Sequence, residues 1–222
     1  MADQSPALDW RDDIPVSTRF DDPYYSLENG LEETRHVFLS GNGLPERFRD
    51  GFHIAELGFG TGLNLLAALD LWRRTGQQGR LRFTSFEAYP LDGAQMIRAQ
   101  SAFPAVAEVA HDLAPHWQDR ATRITLPDLD FTLVTGDARE TLPRWDGLAD
   151  AWFLDGFAPA RNPELWVPDL MAEVARHMAP GATAASYTAA GHVRRALAEA
   201  GLDVTRQPGY GRKRHMTTAK KP

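Results

Sequence analysis

Two stretches carry side chains whose types and spacing suit chemistry: Glu56-Leu57-Gly58-Phe59-Gly60-Thr61-Gly62-Leu63-Asn64, and Asp155-Gly156-Phe157-Ala158-Pro159-Ala160-Arg161-Asn162-Pro163. In the first, the apolar run Phe52-His53-Ile54-Ala55 leads into three glycines and then into the apolar Leu63 to Leu69. A short strand, a glycine turn and a helix begin a nucleotide-binding βα unit, with glycines where the backbone bends sharply and approaches a ligand. A dinucleotide fingerprint needs G-x-G-x-x-G, and here the third glycine falls one place early, at Gly62. No G-x-x-x-x-G-K-S/T is present, so an adenosyl ligand without phosphates is the better candidate. In the second stretch Asp155 directly follows the apolar strand Ala149 to Leu154, where it would face the cofactor's reactive end. Phe157 and Pro159 make a stiff apolar wall suited to a flat base. The competing reading of Asp155 is a helix cap, but Pro163 opens the next helix and Asn162 is the better N-cap.

Other elements must bring these stretches together. Leu81 to Glu87 alternates apolar and polar residues and reads as the second strand, with Glu87 placed to accept hydrogen bonds from ribose hydroxyls. A simple exposed carboxylate is the alternative. Strands are expected at Thr122 to Leu126 and Phe131 to Thr135, the latter ending in Gly136-Asp137. Asp137 suits either a bond to the adenine amino group or the cap of the short helix beginning at Ala138. Beyond the second stretch the pattern gives a helix from Pro163 to about Met178, a strand Ala182 to Tyr187 and a helix Ala190 to Ala200. Strands Leu202 to Gln207 and about Arg214 to Ala219 follow. Residues 90 to 117 read as helical packing. Residues 1 to about 35, with Pro6, Pro15 and Pro23, look like an extension draped on the domain. Leu31 to Leu39 has near-helical spacing and is placed to pack over the glycine loop.

With 222 residues, 43% hydrophobic and 24% charged, the chain suits one soluble α/β domain. No apolar run approaches a membrane span, and no secretory leader is apparent, so the cytosol is the expected compartment. Zero cysteines remove thiolate, disulfide and iron–sulfur chemistry. The seven histidines lack H-x-x-x-H spacing, so no metal is expected. The net charge of -6 opposes a nonspecific nucleic-acid coat. Yet all three lysines, Lys213, Lys220 and Lys221, lie near the end, with Arg206, Arg212 and Arg214, in a stretch without acids. A solvated tail is the plain reading of that asymmetry.

The pattern E-x-G-x-G-x-G resembles the first motif of Rossmann-like methyltransferases that use S-adenosylmethionine. More specifically, the chain resembles the methyltransferase domain of the MnmC family. The likeness rests on Ser26-Leu27-Glu28-Asn29-Gly30-Leu31-Glu32-Glu33-Thr34-Arg35 with Val37-Phe38-Leu39, and on Glu56 to Asn64. It extends to Leu154 to Pro163 with Leu165-Trp166, and to Gly209-Tyr210-Gly211-Arg212-Lys213-Arg214. The resemblance implies a class I fold: a seven-stranded, mostly parallel sheet with a C-terminal antiparallel hairpin. Residues 1–50 would be an N-terminal extension packed on a methyltransferase domain of residues 51–222.

It further implies methyl transfer to the primary amine of an aminomethyluridine, with or without a 2-thio group, at the tRNA wobble position, leaving S-adenosylhomocysteine. Asp155 would be the catalytic group. Glu56, Gly58, Phe59, Gly60, Gly62, Asn64, Glu87, Asp137 and Asp155 would bind cofactor. Asn29, Phe157, Pro159, Arg161, Arg212, Lys213 and Arg214 would bind the tRNA anticodon loop, the three basic residues through its phosphates or by lying over the cofactor pocket. There is no room for the flavin-dependent oxidoreductase fused to this domain in many bacteria, so FAD is not expected. The chain looks like the stand-alone form, plausibly monomeric, though a piece of a fused protein would look alike. Rival readings are a methyltransferase of another amine, a nicotinamide-dependent oxidoreductase, and a catalytically silent RNA-binding module.

Overall fold

A computed structural model describes residues 8–26 and 29–222. Leu27 and Glu28 of the first MnmC-like motif lie outside them. A small antiparallel sheet comes first, from β1 (Leu8–Arg11), β2 (Ile14–Ser17) and β3 (Asp22–Pro23). Next comes a helical run: α1 (Gly30–Thr34) widens into a π-helical turn, Arg35–Leu39, and then tightens into a 3-10 turn, Ser40–Asn42. Then follow β4 (His53–Leu57), α2 (Leu63–Arg74), β5 (Leu81–Glu87), α3 (Gly93–Gln100), α4 (Ala107–Gln118), β6 (Arg123–Leu126) and β7 (Leu129–Thr135). The chain continues through α5 (Ala138–Thr141), β8 (Ala149–Leu154), α6 (Pro168–Arg176), β9 (Met178–Ser186), α7 (Gly191–Glu199), β10 (Asp203–Pro208) and β11 (His215–Lys220).

The main sheet has the order β10-β11-β9-β8-β4-β5-β7-β6. Its five central strands run parallel, and β11 enters antiparallel between β9 and β10. Seven of the strands make the expected sheet with its C-terminal hairpin. The eighth, β6, adds an antiparallel edge beside β7.

Period-two alternation sorts the central strands onto two apolar layers, as expected for a parallel sheet covered on both faces. Ile54 and Phe153 face one layer, with Leu65 and Leu66 of α2, Val109 and Leu113 of α4, and Val37 and Phe38 of the helical run. Ala55, Leu57, Trp152 and Leu154 face the other, with Leu170, Met171 and Val174 of α6 and Val193 and Leu197 of α7. Thus Leu31, Val37, Phe38 and Leu39 belong to the core itself. The helical run is also anchored to the sheet: Asn42 Nδ2 donates to Phe38 O and Trp152 O, and its Oδ1 accepts from Thr183.

Two expected elements differ. The helix expected from Pro163 to about Met178 is divided: Pro163–Trp166 is a 3-10 turn, and α6 starts at Pro168. Pro168 disfavours helical backbone at Val167, which is extended, so the helix begins anew. The strand expected at Ala182 begins earlier, at Met178, where a register shift between Ala149 and Ala151 accommodates the added residues. Among the described residues, no helix is long and apolar enough to cross a membrane.

Candidate active site

In the strand order β5-β4-β8 the sheet turns back on itself beside β4, so a crevice opens at the carboxyl ends of these strands. A cavity of ≈ 450 Å³ occupies that position. Gly58, Phe59, Gly60, Leu63 and Asn64 line it from the glycine turn, and Asp155, Gly156 and Phe157 from the turn after β8. Glu87 and Asp137 line it from the ends of β5 and β7.

The glycines are required by geometry. Gly58, Gly60 and Gly62 have φ of 81°, 54° and 73°, where side chains are disfavoured. A Cβ on Gly58 would sit 2.9 Å from Gly156 Cα and N, so the two functional turns approach at backbone contact. A Cβ on Gly60 would press on the Tyr24 ring. Gly62 does not line the cavity; it terminates the turn at the start of α2. Phe59 lines the cavity and also packs against Phe131 and Trp117, which ties the loop to the core.

Glu56 is fully buried beneath the glycine turn and is not part of the cavity wall. Its carboxylate accepts from Asn64 Nδ2 at 2.8 Å and Ser85 Oγ at 2.6 Å. Burial pushes its pKa well above the ordinary value, against the pull of those two donors. The structure therefore places Glu56 beneath the turn, where it supports Asn64 and Ser85, and not in the cavity wall. Replacing Glu56 with Ala would strand two buried donors. We expect Glu56→Ala to cost about 2–4 kcal/mol in urea unfolding and to weaken cofactor binding through Asn64.

Asn64 joins the site together. Its Nδ2 donates to Glu56 and also to Asp155 Oδ2 at 2.8 Å, while its Oδ1 accepts from Thr34 Oγ1. The other Asp155 oxygen accepts the Gly156 N–H. Asp155 thus caps no helix. Burial raises its pKa from 3.8 to about 6; Asn64, Gly156 and Lys213 pull the other way. Glu87 accepts backbone N–H bonds from Gly60 and Tyr89, and burial raises its pKa despite them. Asp137 does cap α5, accepting from Arg139 N, and its ion pair with the Arg139 side chain lowers its pKa. It takes up the capping role while lining the cavity.

The turn after β8 is pinned at each residue. Tyr187 OH donates to Gly156 O, Trp166 Nε1 to Phe157 O, and Ala158 N to Asp22 Oδ2. The Phe157 ring stacks on Phe20 at 4.7 Å and meets Tyr24 edge-on at 5.0 Å. The N-terminal segment therefore builds one wall of the cavity.

Several residues expected at a substrate surface lie elsewhere. Asn29 caps α1, accepting from Glu32 N, and is exposed away from the cavity. Arg161 is exposed and pairs with Asp21 at 3.1 Å. Pro159 is partly buried but does not line the cavity. Lys213 separates from its neighbours: it alone of the basic trio lines the cavity, where its Nζ lies 2.7 Å from Glu33 Oε1, while Arg212 and Arg214 are exposed. Tyr24, Glu33, Asp22 and Tyr187 had no assigned role. Of these, Asp22 and Tyr24 lie in the acid- and aromatic-rich run Asp21 to Tyr25, while Glu33 and Tyr187 carry no local signal.

The residues present fit an adenosyl cofactor. Carboxylates end two adjacent strands, a glycine turn leaves its backbone open to the cavity, and Asp155 has one carboxylate edge beyond its two donors. The comparisons agree. The family model described as S-adenosyl-L-methionine-dependent methyltransferase matches residues 104–222. The tRNA 5-methylaminomethyl-2-thiouridine biosynthesis bifunctional protein MnmC of Caulobacter vibrioides is 49% identical over 97% of this chain. The protein of the same name from Pseudomonas aeruginosa is 47% identical over 96%. The chain spans 38% and 34% of those relatives, about a third of their length. The solved structure of MNMC2 from Aquifex aeolicus matches all of this chain and 73% of that one, with a TM-score of 0.79 and 27% identity. The likeness to MnmC read from the motifs is thereby borne out, and the chain belongs to the S-adenosyl-L-methionine-dependent methyltransferase family.

Proposed function

We propose that the chain methylates the primary amine of 5-aminomethyluridine, with or without a 2-thio group, at the wobble position of tRNA, acting in the cytoplasm. On this reading residues 51–222 are the methyltransferase domain and residues 1–50 its N-terminal extension, whose helical run, Gly30–Asn42, completes the core. The observation that carries the reading is the meeting of three parts in one cavity. These are the glycine turn, a half-buried Asp155 with a pKa raised to about 6, and the Phe157 wall backed by Phe20 and Tyr24.

Each part has a task. The Phe157 wall offers a face on which a splayed-out base stacks, the usual way a single-stranded loop base is held. The cofactor supplies an electrophilic methyl on a sulfonium: the new N–C bond forms as the S–C bond breaks, leaving its electron pair on sulfur. A primary alkylamine is largely protonated near neutral pH, and only the neutral form attacks. Asp155 Oδ2 orients the amine and takes up the proton it loses; a pKa near 6 keeps the carboxylate ionised at pH 7 yet basic enough to accept. Asn64 holds Asp155 in place, so nitrogen, methyl and sulfur are aligned for displacement. The exposed Arg212 and Arg214 suit phosphate contacts with the anticodon loop.

The test is methyl incorporation from S-adenosylmethionine into tRNA carrying the aminomethyl group, beside tRNA lacking it, with nucleosides identified by mass spectrometry. Methylaminomethyluridine is expected from the first tRNA alone. No transfer to either, with S-adenosylmethionine still bound, would overturn the tRNA reading in favour of another amine.

A further inference from the structure

Lys213 is the one cation among the residues lining the cavity, and it is held in a manner that surface lysines are not. Its Nζ is 2.7 Å from Glu33 Oε1 and stands 4.2 Å from the centre of the Tyr187 ring. A carboxylate on one side and an aromatic face on the other is a site for an ammonium. The cage is preformed. Glu33 is buried on α1, next to Thr34, which bonds Asn64; Tyr187 is anchored by its hydroxyl to Gly156 O. Glu33 and Lys213 both act electrostatically on Asp155, so the cage adjoins the catalytic carboxylate. Lys213, by contrast, comes from the exposed Gly209–Arg214 turn between β10 and β11, with its own side chain 45% exposed.

We propose that Glu33 and Tyr187 form an ammonium subsite that captures the protonated primary amine of the substrate, and that the Lys213 side chain is its internal stand-in. The proposal rests on an amine being the methyl acceptor. On arrival the substrate amine displaces Lys213 from Glu33 and is then handed, as its proton is lost, to Asp155 beside it. Glu33 selects for a cationic group and against a neutral or anionic one. Lys213, swung outward on its turn, moves toward Arg212 and Arg214 and the backbone of the bound strand.

The test compares wild-type enzyme, Glu33→Gln and Lys213→Met on aminomethyl tRNA, with S-adenosylmethionine affinity measured separately by calorimetry. Glu33→Gln is expected to raise KM by at least 10-fold, with cofactor affinity unchanged and Glu33→Asp restoring part of the loss. Lys213→Met is expected to lower KM, because a competitor has been removed. Propylammonium is expected to inhibit the wild type competitively with tRNA and to lose this effect in Glu33→Gln. An unchanged KM in Glu33→Gln would overturn the subsite. So would a raised KM in Lys213→Met with a shallower salt dependence, which would make Lys213 a phosphate contact. Wild-type enzyme that methylates no aminomethyl tRNA would instead fail the parent reading.

Discussion

Asp155→Asn should lower kcat by about 10²–10⁴-fold, the usual contribution of a positioned proton acceptor, while the protein remains folded and binds S-adenosylmethionine. The amide retains the size of the carboxylate and accepts from either Gly156 N or Asn64 Nδ2, its NH2 facing the other, so one of two hydrogen bonds is lost while the shape is kept. The pH profile separates loss of a base from loss of shape. In the wild type, kcat/KM should carry an acid limb turning near pH 6 from Asp155, superimposed on the amine's own titration. In the variant the Asp155 limb should vanish and the amine's dependence remain. Stability should move in the opposite direction. The folded pKa of Asp155 is raised above its unfolded value, so its contribution is fully favourable below about pH 4. It is lost as pH rises through about 6. At neutral pH the ionised carboxylate therefore destabilises the fold relative to its protonated form. Asp155→Asn removes that penalty but leaves an amide NH2 facing one of the two donors, so its net change in denaturant unfolding should be small. A variant with near-normal turnover, or one that is merely less stable, would defeat the base assignment.

Gly58→Ala should be the most damaging single methyl in the chain. Gly58 has φ of 81°, and the added Cβ would fall 2.9 Å from Gly156 Cα and N, with no flexible side-chain tip in the way to yield. Gly156 is itself confined, with φ of 115° and its carbonyl held by Tyr187. Relief therefore requires the turns after β4 and β8 to separate, and that moves Asp155. Backbone strain and overpacking together should cost about 3–5 kcal/mol, a fall of roughly 8–15 °C in Tm for a chain of this size. Cofactor affinity should drop by at least 100-fold, since the loop that approaches the ligand is displaced. Calorimetry of folding and of cofactor binding on the same preparation measures both. An alanine variant with wild-type Tm and affinity would show that the close approach of the two turns is dispensable.

The sequence carried the sheet and its turns well, for physical reasons. Strands β4 and β8 are buried on both faces, so their apolar runs are nearly uninterrupted, and three glycines with positive φ mark the cofactor turn without ambiguity. Asp155 was legible because an acid ending such a strand has few structural reasons to be there. The buried position of Glu56 was not legible, since a carboxylate near the end of the first strand reads as one facing the cavity. Only three-dimensional placement shows that it faces Asn64 and Ser85 in a fully buried position. The cap made by Asn29 and the ion pair of Arg161 were not legible, because motif membership does not reveal a side chain's partners. Pro115 lies inside α4 without ending it, and Pro168, not Pro163, sets the start of α6. Phe157 was read as a wall, but its partners Phe20 and Tyr24 and the ammonium cage were illegible because they join segments far apart in the chain, which no local period reveals.

The wall made by the N-terminal sheet bears on the order in which the molecule is completed. Asp22 meets Ala158, Phe20 meets Phe157, and Glu33 meets Lys213, so each partner on the early side waits for one made more than 120 residues later. Synthesis proceeds at about 5–20 residues per second, so the early segments spend many seconds with exposed aromatic rings and no cavity to close. A polypeptide stalled before the end of β8 can have β4, β5 and the glycine loop made but lacks Asp155 and Phe157. Competence for catalysis thus arrives late in assembly, after the scaffold, and a partly made chain offers an RNA no finished pocket in which to lodge a base.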